Sequence, residues 1–302
     1  MKKLLSLLLF FFFVRTLSAQ DFEGAKKING TSLYFKIIGK GDPIVIIHGG
    51  PGMNHSYLMP HLKDLSKKYR LVFYDQRASG KSATPSPDSI SLKFFTDDLE
   101  AIRKDLGVEK LNLLSHSWGA LPAVAYGIQY PDKVNKMILC NPTPLSREFD
   151  KEMLENQKKK ASGKDSTDRS IIIGSKGFRS GEPDAYKKLL ILTFRHSFYD
   201  PKNYSKLQLD LPANYRAASQ ALMTGLGKEM EGYNFIEGVK TFSFPVLILH
   251  GAADAIPLGA STLAQSKMQK ASLQVFNKSG HFIFIDQPGR FNSAVNSFLS
   301  NR

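Results

Sequence analysis

Leu113-Leu114-Ser115-His116-Ser117-Trp118-Gly119-Ala120 reads as a strand that breaks into a helix with a serine at the break. Leu111-Asn112-Leu113-Leu114 supplies the strand and Gly119-Ala120-Leu121-Pro122-Ala123 opens the helix. A serine on such a turn lifts its hydroxyl above the sheet, and the helix amino terminus behind it offers N–H groups and a favourable field to developing negative charge. Small residues must flank the turn because two backbone segments nearly touch there. Gly119 meets that demand, and Ser115, where the Gly-x-Ser-x-Gly pattern has its first glycine, meets it as a small substitute.

On either side of this turn, apolar runs ending in turn residues recur at Ile44 to Ile47, Leu71 to Tyr74, Leu111 to Leu114, Met137 to Cys140, Val246 to Leu249 and Leu273 to Phe276. Helical patterns separate most of them, at Leu92 to Leu106, Leu121 to Tyr130 and Ala260 to Met268, and another runs from Phe291 to Leu299. This alternation predicts an α/β fold with a mostly parallel sheet flanked by helices. Ile28-Asn29-Gly30-Thr31, between alternating residues, predicts an antiparallel hairpin at the sheet edge. The alternation stops after Asn141-Pro142-Thr143-Pro144 and resumes at Phe244-Pro245. The residues between carry 17 Lys or Arg and 13 Asp or Glu in helical patterns. An insertion of this length between core strands is read as a helical lid, residues 143–242, over the sheet's carboxyl edge; residues 21–142 and 243–302 form the core.

With 302 residues, 42% hydrophobic and 23% charged, the chain can bury a large core, which excludes disordered and collagen-like classes. Residues 1–20 differ in kind: Lys2 and Lys3 lead into an apolar run from Leu4 to Val14 broken only by Ser6, then Ser18-Ala19-Gln20. This reads as a secretory signal peptide, since a membrane span needs roughly 20 apolar residues. The protein is therefore expected to be exported to a periplasm or the extracellular space, without stable membrane insertion after cleavage. The formal charge of +14 falls to +11 without Lys2, Lys3 and Arg15. The lysines are dispersed, apart from Lys158-Lys159-Lys160, with no aromatic-interleaved basic motif, so a solvated face rather than a nucleic-acid site is expected. The single cysteine, Cys140, lies in a predicted core strand as a buried, inert thiol.

An active serine needs a base, and of seven histidines His281, in Lys278-Ser279-Gly280-His281-Phe282, sits where the last strand should end. His116 adjoins Ser117, but neighbouring side chains at the turn point apart, so packing is its expected role; His250 is expected to make a structural hydrogen bond. Asp254, in the loop after Val246-Leu247-Ile248-Leu249, is the acceptor that would fix the tautomer of His281. The alternative acid position, after Cys140, holds Asn141. Ile46-Ile47-His48-Gly49-Gly50-Pro51-Gly52 ends a strand in a glycine-rich loop whose Gly50 N–H, with that of Trp118, would form an oxyanion hole. A phosphate loop is excluded because no Gly-Lys-Ser/Thr follows. No metal cluster or cofactor fingerprint appears, and this chemistry needs none.

His48-Gly49-Gly50-Pro51-Gly52, Asp75-Gln76-Arg77-Ala78-Ser79-Gly80-Lys81-Ser82 and Ser117-Trp118-Gly119 together resemble the proline iminopeptidase branch of the α/β-hydrolases. The resemblance covers about Lys26 to Pro142 and Phe244 onward, and the nucleophile–acid–base order Ser117, Asp254, His281 agrees with it. It implies that Asp75, Gln76 and Arg77 brace the site, with a buried charge pair inside that motif. Characterised members grip the substrate's α-amine with a Trp-x-x-Trp-Glu pattern and further lid glutamates, whereas this chain's single tryptophan is Trp118. Phe198-Tyr199-Asp200 is the nearest stand-in, leaving Asp200, Glu229 and Glu231 as the expected substrate-binding carboxylates. The resemblance implies a secreted serine hydrolase that removes an N-terminal residue, preferably proline, from small amides or short peptides through an acyl-enzyme. Two alternatives stay open: an esterase or lactonase with the same triad, and a non-catalytic binding protein of the same fold.

Overall fold

A computed structural model describes residues 20–301; residues 1–19 of the expected signal segment lie outside them. The hairpin β1 (Phe22–Ile28) and β2 (Thr31–Ile38) turns through Asn29 and Gly30 at φ 45° and 74°. That is the left-handed pair a two-residue type I′ turn requires and Asn-Gly supplies. Then come β3 (Pro43–Ile47), α1 (Met59–Leu62), β4 (Arg70–Tyr74), α2 (Leu92–Asp105), β5 (Leu111–His116), α3 (Ala120–Gln129) and β6 (Val134–Cys140). Five helices follow before the next strand: α4 (Asp150–Lys160), α5 (Gly163–Gly174), α6 (Lys176–Ser180), α7 (Pro183–Phe194) and α8 (Tyr215–Glu231). The sheet resumes with β7 (Val246–Gly251), α9 (Leu258–Lys267), β8 (Ala271–Phe276), α10 (Ile283–Asp286) and α11 (Pro288–Ser300).

The eight strands lie in the order β1-β2-β4-β3-β5-β6-β7-β8, antiparallel at β1/β2 and β2/β4 and parallel elsewhere. Because successive side chains point to opposite faces, Val45 and Ile47 enter one hydrophobic layer and Ile44 and Ile46 the other. The first layer is covered by α2, whose Phe95, Leu99 and Ile102 recur at helical spacing, together with α3 and α9; the second by α11 through Phe291, Ala294 and Val295. Among the described residues, no helix is long and apolar enough to cross a membrane.

The strand order places the site. From β3 the chain steps to β4 on one side, then crosses back to β5 on the other, so the connections into β3 and β5 lie on opposite sides while the two strands stay paired as far as Ile47 and Ser115. Such a switch point leaves a crevice where open α/β sheets bind ligands. The glycine-rich loop follows β3 there and Ser117 follows β5.

Candidate active site

Ser117 sits directly after β5 at φ 53°, a left-handed conformation that is strained for a side-chain-bearing residue. The strain is held by close packing. A Cβ on Gly119 would lie 2.6 Å from the carbonyl oxygens of Ile47 and His48, and one on Gly49 would lie 2.9 Å from the Ser117 Cβ. The β3 loop thus lies against the turn, with Gly49 beside Ser117 and Gly50 following at φ 54°. Ser115 is fully buried in β5 between Ile47 of β3 and Leu139 of β6, its hydroxyl donating a long hydrogen bond of 3.4 Å to the Ile138 carbonyl. Trp118 packs edge-on against Phe95, ring centres 5.3 Å apart.

His281, in the loop after β8, lies with Nδ1 2.7 Å from Asp254 Oδ2, both side chains buried. Burial by itself would raise the Asp254 carboxyl; the attraction and hydrogen bond of His281, with His250 and the Ile256 amide, outweigh it and hold Asp254 down at about 2. Asn141, at φ 44° after β6, donates its amide to the same Asp254 oxygen at 2.6 Å and to the Gly280 carbonyl at 3.3 Å. The β7 and β8 loops meet at Gly251, where any Cβ would strike the Gly280 carbonyl. The His281 amide donates to the Ser197 carbonyl at 2.6 Å, so the segment after α7 seats this loop.

His116 does more than pack. The Gly49 amide donates to the Tyr57 hydroxyl at 2.6 Å, that hydroxyl donates to His116 Nδ1 at 2.8 Å, and His116 Nε2 donates to the His281 carbonyl at 2.9 Å. Burial, helped by repulsion from His281, pulls the His116 imidazole down to about 3, so it is neutral and fits this donor–acceptor order. His250 bonds the Ser261 hydroxyl at 2.9 Å. The Asp75-Gln76-Arg77 motif braces the loops, with one correction: its buried charge pair is not internal. Arg77 grips Asp98 of α2 through two bonds of 2.8 and 2.6 Å, while Asp75 accepts from His55 Nδ1 at 2.6 Å and Gln76 donates to the His48 carbonyl at 2.8 Å.

Ser117, His281 and Asp254 line one cavity of about 380 Å³. Its outer wall comes from α4 with Met153, Gln157 and Lys160, spaced to share one face, and from α5 with Asp165, Ser166 and Arg169. His196 and Ser197 join them. Ser117 Oγ makes no hydrogen bond among the described residues. The three carboxylates expected to hold substrate lie outside this cavity. Asp200 is exposed and caps its own turn by accepting from the Lys202 amide at 2.9 Å. Glu229 accepts from the Leu92 amide at the start of α2 at 2.7 Å, and Glu231 ends α8 in solvent. Phe198 instead stacks on Phe282, ring centres 4.8 Å apart. The cavity carboxylate beyond Asp254 is Asp165, held well below the usual range by the Ser162 hydroxyl and amide and by His196, and paired with Arg195. No group of three or more His, Cys, Asp or Glu side chains is placed to hold a metal ion among the described residues.

A family model described as alpha/beta hydrolase fold matches residues 42–288. A protein of Clostridium botulinum named proline iminopeptidase is 27% identical over 291 residues, covering 88% of this chain and 94% of that one. Its namesake from Heyndrickxia coagulans is 25% identical, covering 92% and 99%. Two solved structures share the fold: a proline iminopeptidase of Mycobacterium smegmatis, with TM-score 0.68 at 18% identity and coverage of 92% and 97%, and an esterase from Exiguobacterium antarcticum, with TM-score 0.67 at 19% identity and coverage of 93% and 100%.

Proposed function

The chain belongs to the α/β-hydrolase fold family, and from that premise we propose that it is a serine hydrolase working through an acyl-enzyme. The observation that carries the reading is the strained Ser117 turn opening into the same cavity as the buried His281–Asp254 pair. His281 Nε2 takes the proton from Ser117 Oγ as that oxygen attacks the substrate carbonyl carbon. The N–H groups of Gly50 and Trp118 receive the oxyanion. The imidazolium, steadied by Asp254 at Nδ1, returns the proton to the leaving group, and water repeats the sequence to release the acid.

The choice of substrate turns on wall carboxylates. An aminopeptidase needs a carboxylate free to meet the substrate's α-ammonium, whereas Asp165 is already bonded by Ser162, His196 and Arg195. An esterase-type hydrolase acting on small carboxylic esters therefore fits the cavity best. Removal of an N-terminal residue, preferably proline, is the second reading, supported by the names of the relatives. The amino-terminal residues support export as a further part of the proposal, tested by the mass of the mature protein's first peptide.

The test compares a short acyl 4-nitrophenyl ester with proline 4-nitroanilide and an amine-blocked proline anilide. Ester preference is expected; anilide preference that disappears on blocking the amine would select the second reading. Ser117→Ala is expected to lower kcat by at least about a thousandfold with the fold intact. Unchanged turnover, or no labelling of Ser117 by a fluorophosphonate, would reject the serine mechanism.

A further inference from the structure

The outer wall of the cavity is unevenly charged. Its two carboxylates are both engaged, Asp254 by His281 and Asn141 and Asp165 by Arg195, His196 and Ser162. Its two permanent cations form no ion pair with a carboxylate among the described residues. Lys160, half-buried at the end of α4, gives one hydrogen bond to the Ala253 carbonyl in the Asp254 loop. An ammonium has three donors, so two N–H groups stay free. Arg169, one turn along α5 from Asp165 and Ser166, makes no ion pair or hydrogen bond among the described residues although it lines the cavity. A partly buried ammonium and an exposed, unpaired guanidinium lining one cavity whose two carboxylates are already hydrogen-bonded form a receptor for a carboxylate.

Resting on the serine-hydrolase reading, we propose that the natural substrate is an ester carrying a carboxylate, and that Lys160 and Arg169 hold that carboxylate while Ser117 attacks the ester carbonyl. Arg169 meets it in a forked geometry at the cavity mouth, and Lys160 draws it inward along the α4 face. The arrangement selects against free amines, since a substrate ammonium would enter beside two like charges.

The experiment uses two nearly isosteric pairs. One is the mono-4-nitrophenyl ester of adipic acid with its methyl ester, placing the carboxylate on the acyl side. The other is 4-acetoxybenzoate with its methyl ester, placing it on the leaving group. In at least one pair the anion is expected to have a kcat/KM about tenfold above its neutral partner, the scale of one charge-assisted hydrogen bond. That ratio is expected to fall toward unity in Lys160→Gln/Arg169→Gln and to shrink with added salt in the wild type. Should the double variant fold poorly, Arg169→Gln alone, at an exposed position, is expected to lower the ratio. Preference for the neutral member in both pairs, an undiminished ratio in the variants, or labelling of Ser117 without turnover of either anion would overturn the inference and leave the serine mechanism standing. Absence of both labelling and turnover would reject the serine mechanism, and the inference with it.

Discussion

Asn141 holds the left-handed region at φ 44° without being glycine, and its amide lies between Asp254 and the Gly280 carbonyl. An Asn tolerates this conformation better than most residues, and the geometry uses its side chain too. Two substitutions separate the roles. Asn141→Gly frees the backbone but removes the amide, so kcat/KM is expected to fall about tenfold while the melting temperature stays near that of the wild type. Asn141→Ala removes the amide and also strains the turn, so it is expected to lose the same activity and melt at a lower temperature; equal activity in all three proteins would show that the amide does not position Asp254. The sequence marked Asn141 only as a position lacking charge. Its partner is 113 residues away, and the contact exists because β6 and β7 pair with Cys140 opposite Leu249, a register no local pattern reveals. Ser117 was legible because the strand, the serine and the helix start that mark its turn, from Leu111 to Gly119, are contiguous, although the β3 loop that packs against it is not.

At the scale of elements, the loops around the site are held by helices and strands that meet only in three dimensions. Arg77, after β4, is fully buried with Asp98 of α2, which also accepts from Asn29 of the β1–β2 turn at 3.0 Å. The ion pair thus clamps the edge hairpin, the sheet and α2 together. Removing one partner strands the other charge in the core, so Arg77→Met is expected to cost about 3 kcal/mol by chemical denaturation. Arg77→Met/Asp98→Leu is expected to recover a good part of that loss, and additive losses would mean the pair is not coupled. The Asp-Gln-Arg motif announced a brace; its partner on α2 did not, because Asp98 reads as one acidic residue among the polar positions of an amphipathic helix. The outer cavity wall was harder still. No residue of α4 is buried, so its polar pattern gives no core-facing stripe from which to infer which side faces Ser117.

For the whole molecule, the strand order turns a chain of local signals into one site. The alternation of apolar runs and helices was enough to anticipate a parallel sheet, and the switch between β3 and β5 brings the Gly49–Gly50 loop to the Ser117 turn. The same assembly makes the site part of the molecule's stability. Asp254 is buried among β6, β7 and β8 loops, with a carboxyl lowered from 3.8 to about 2 by His281, His250 and the Ile256 amide against the opposing effect of burial. A carboxyl lowered on folding contributes stability that is complete above its unfolded value near 3.8 and is lost as pH falls through about 2. The shift corresponds to about 2 kcal/mol. The urea midpoint of the wild type is therefore expected to fall between pH 4 and pH 2, and that of Asp254→Asn to fall less over the same interval, since Asn carries no proton to take up. Comparing the two proteins cancels the contributions of the other carboxylates lowered on folding, Glu23 and Asp165 among them. Parallel pH dependences would mean that Asp254 is no more acidic in the folded chain than in the unfolded one, so that His281, His250 and the Ile256 amide do no more than offset the effect of burial.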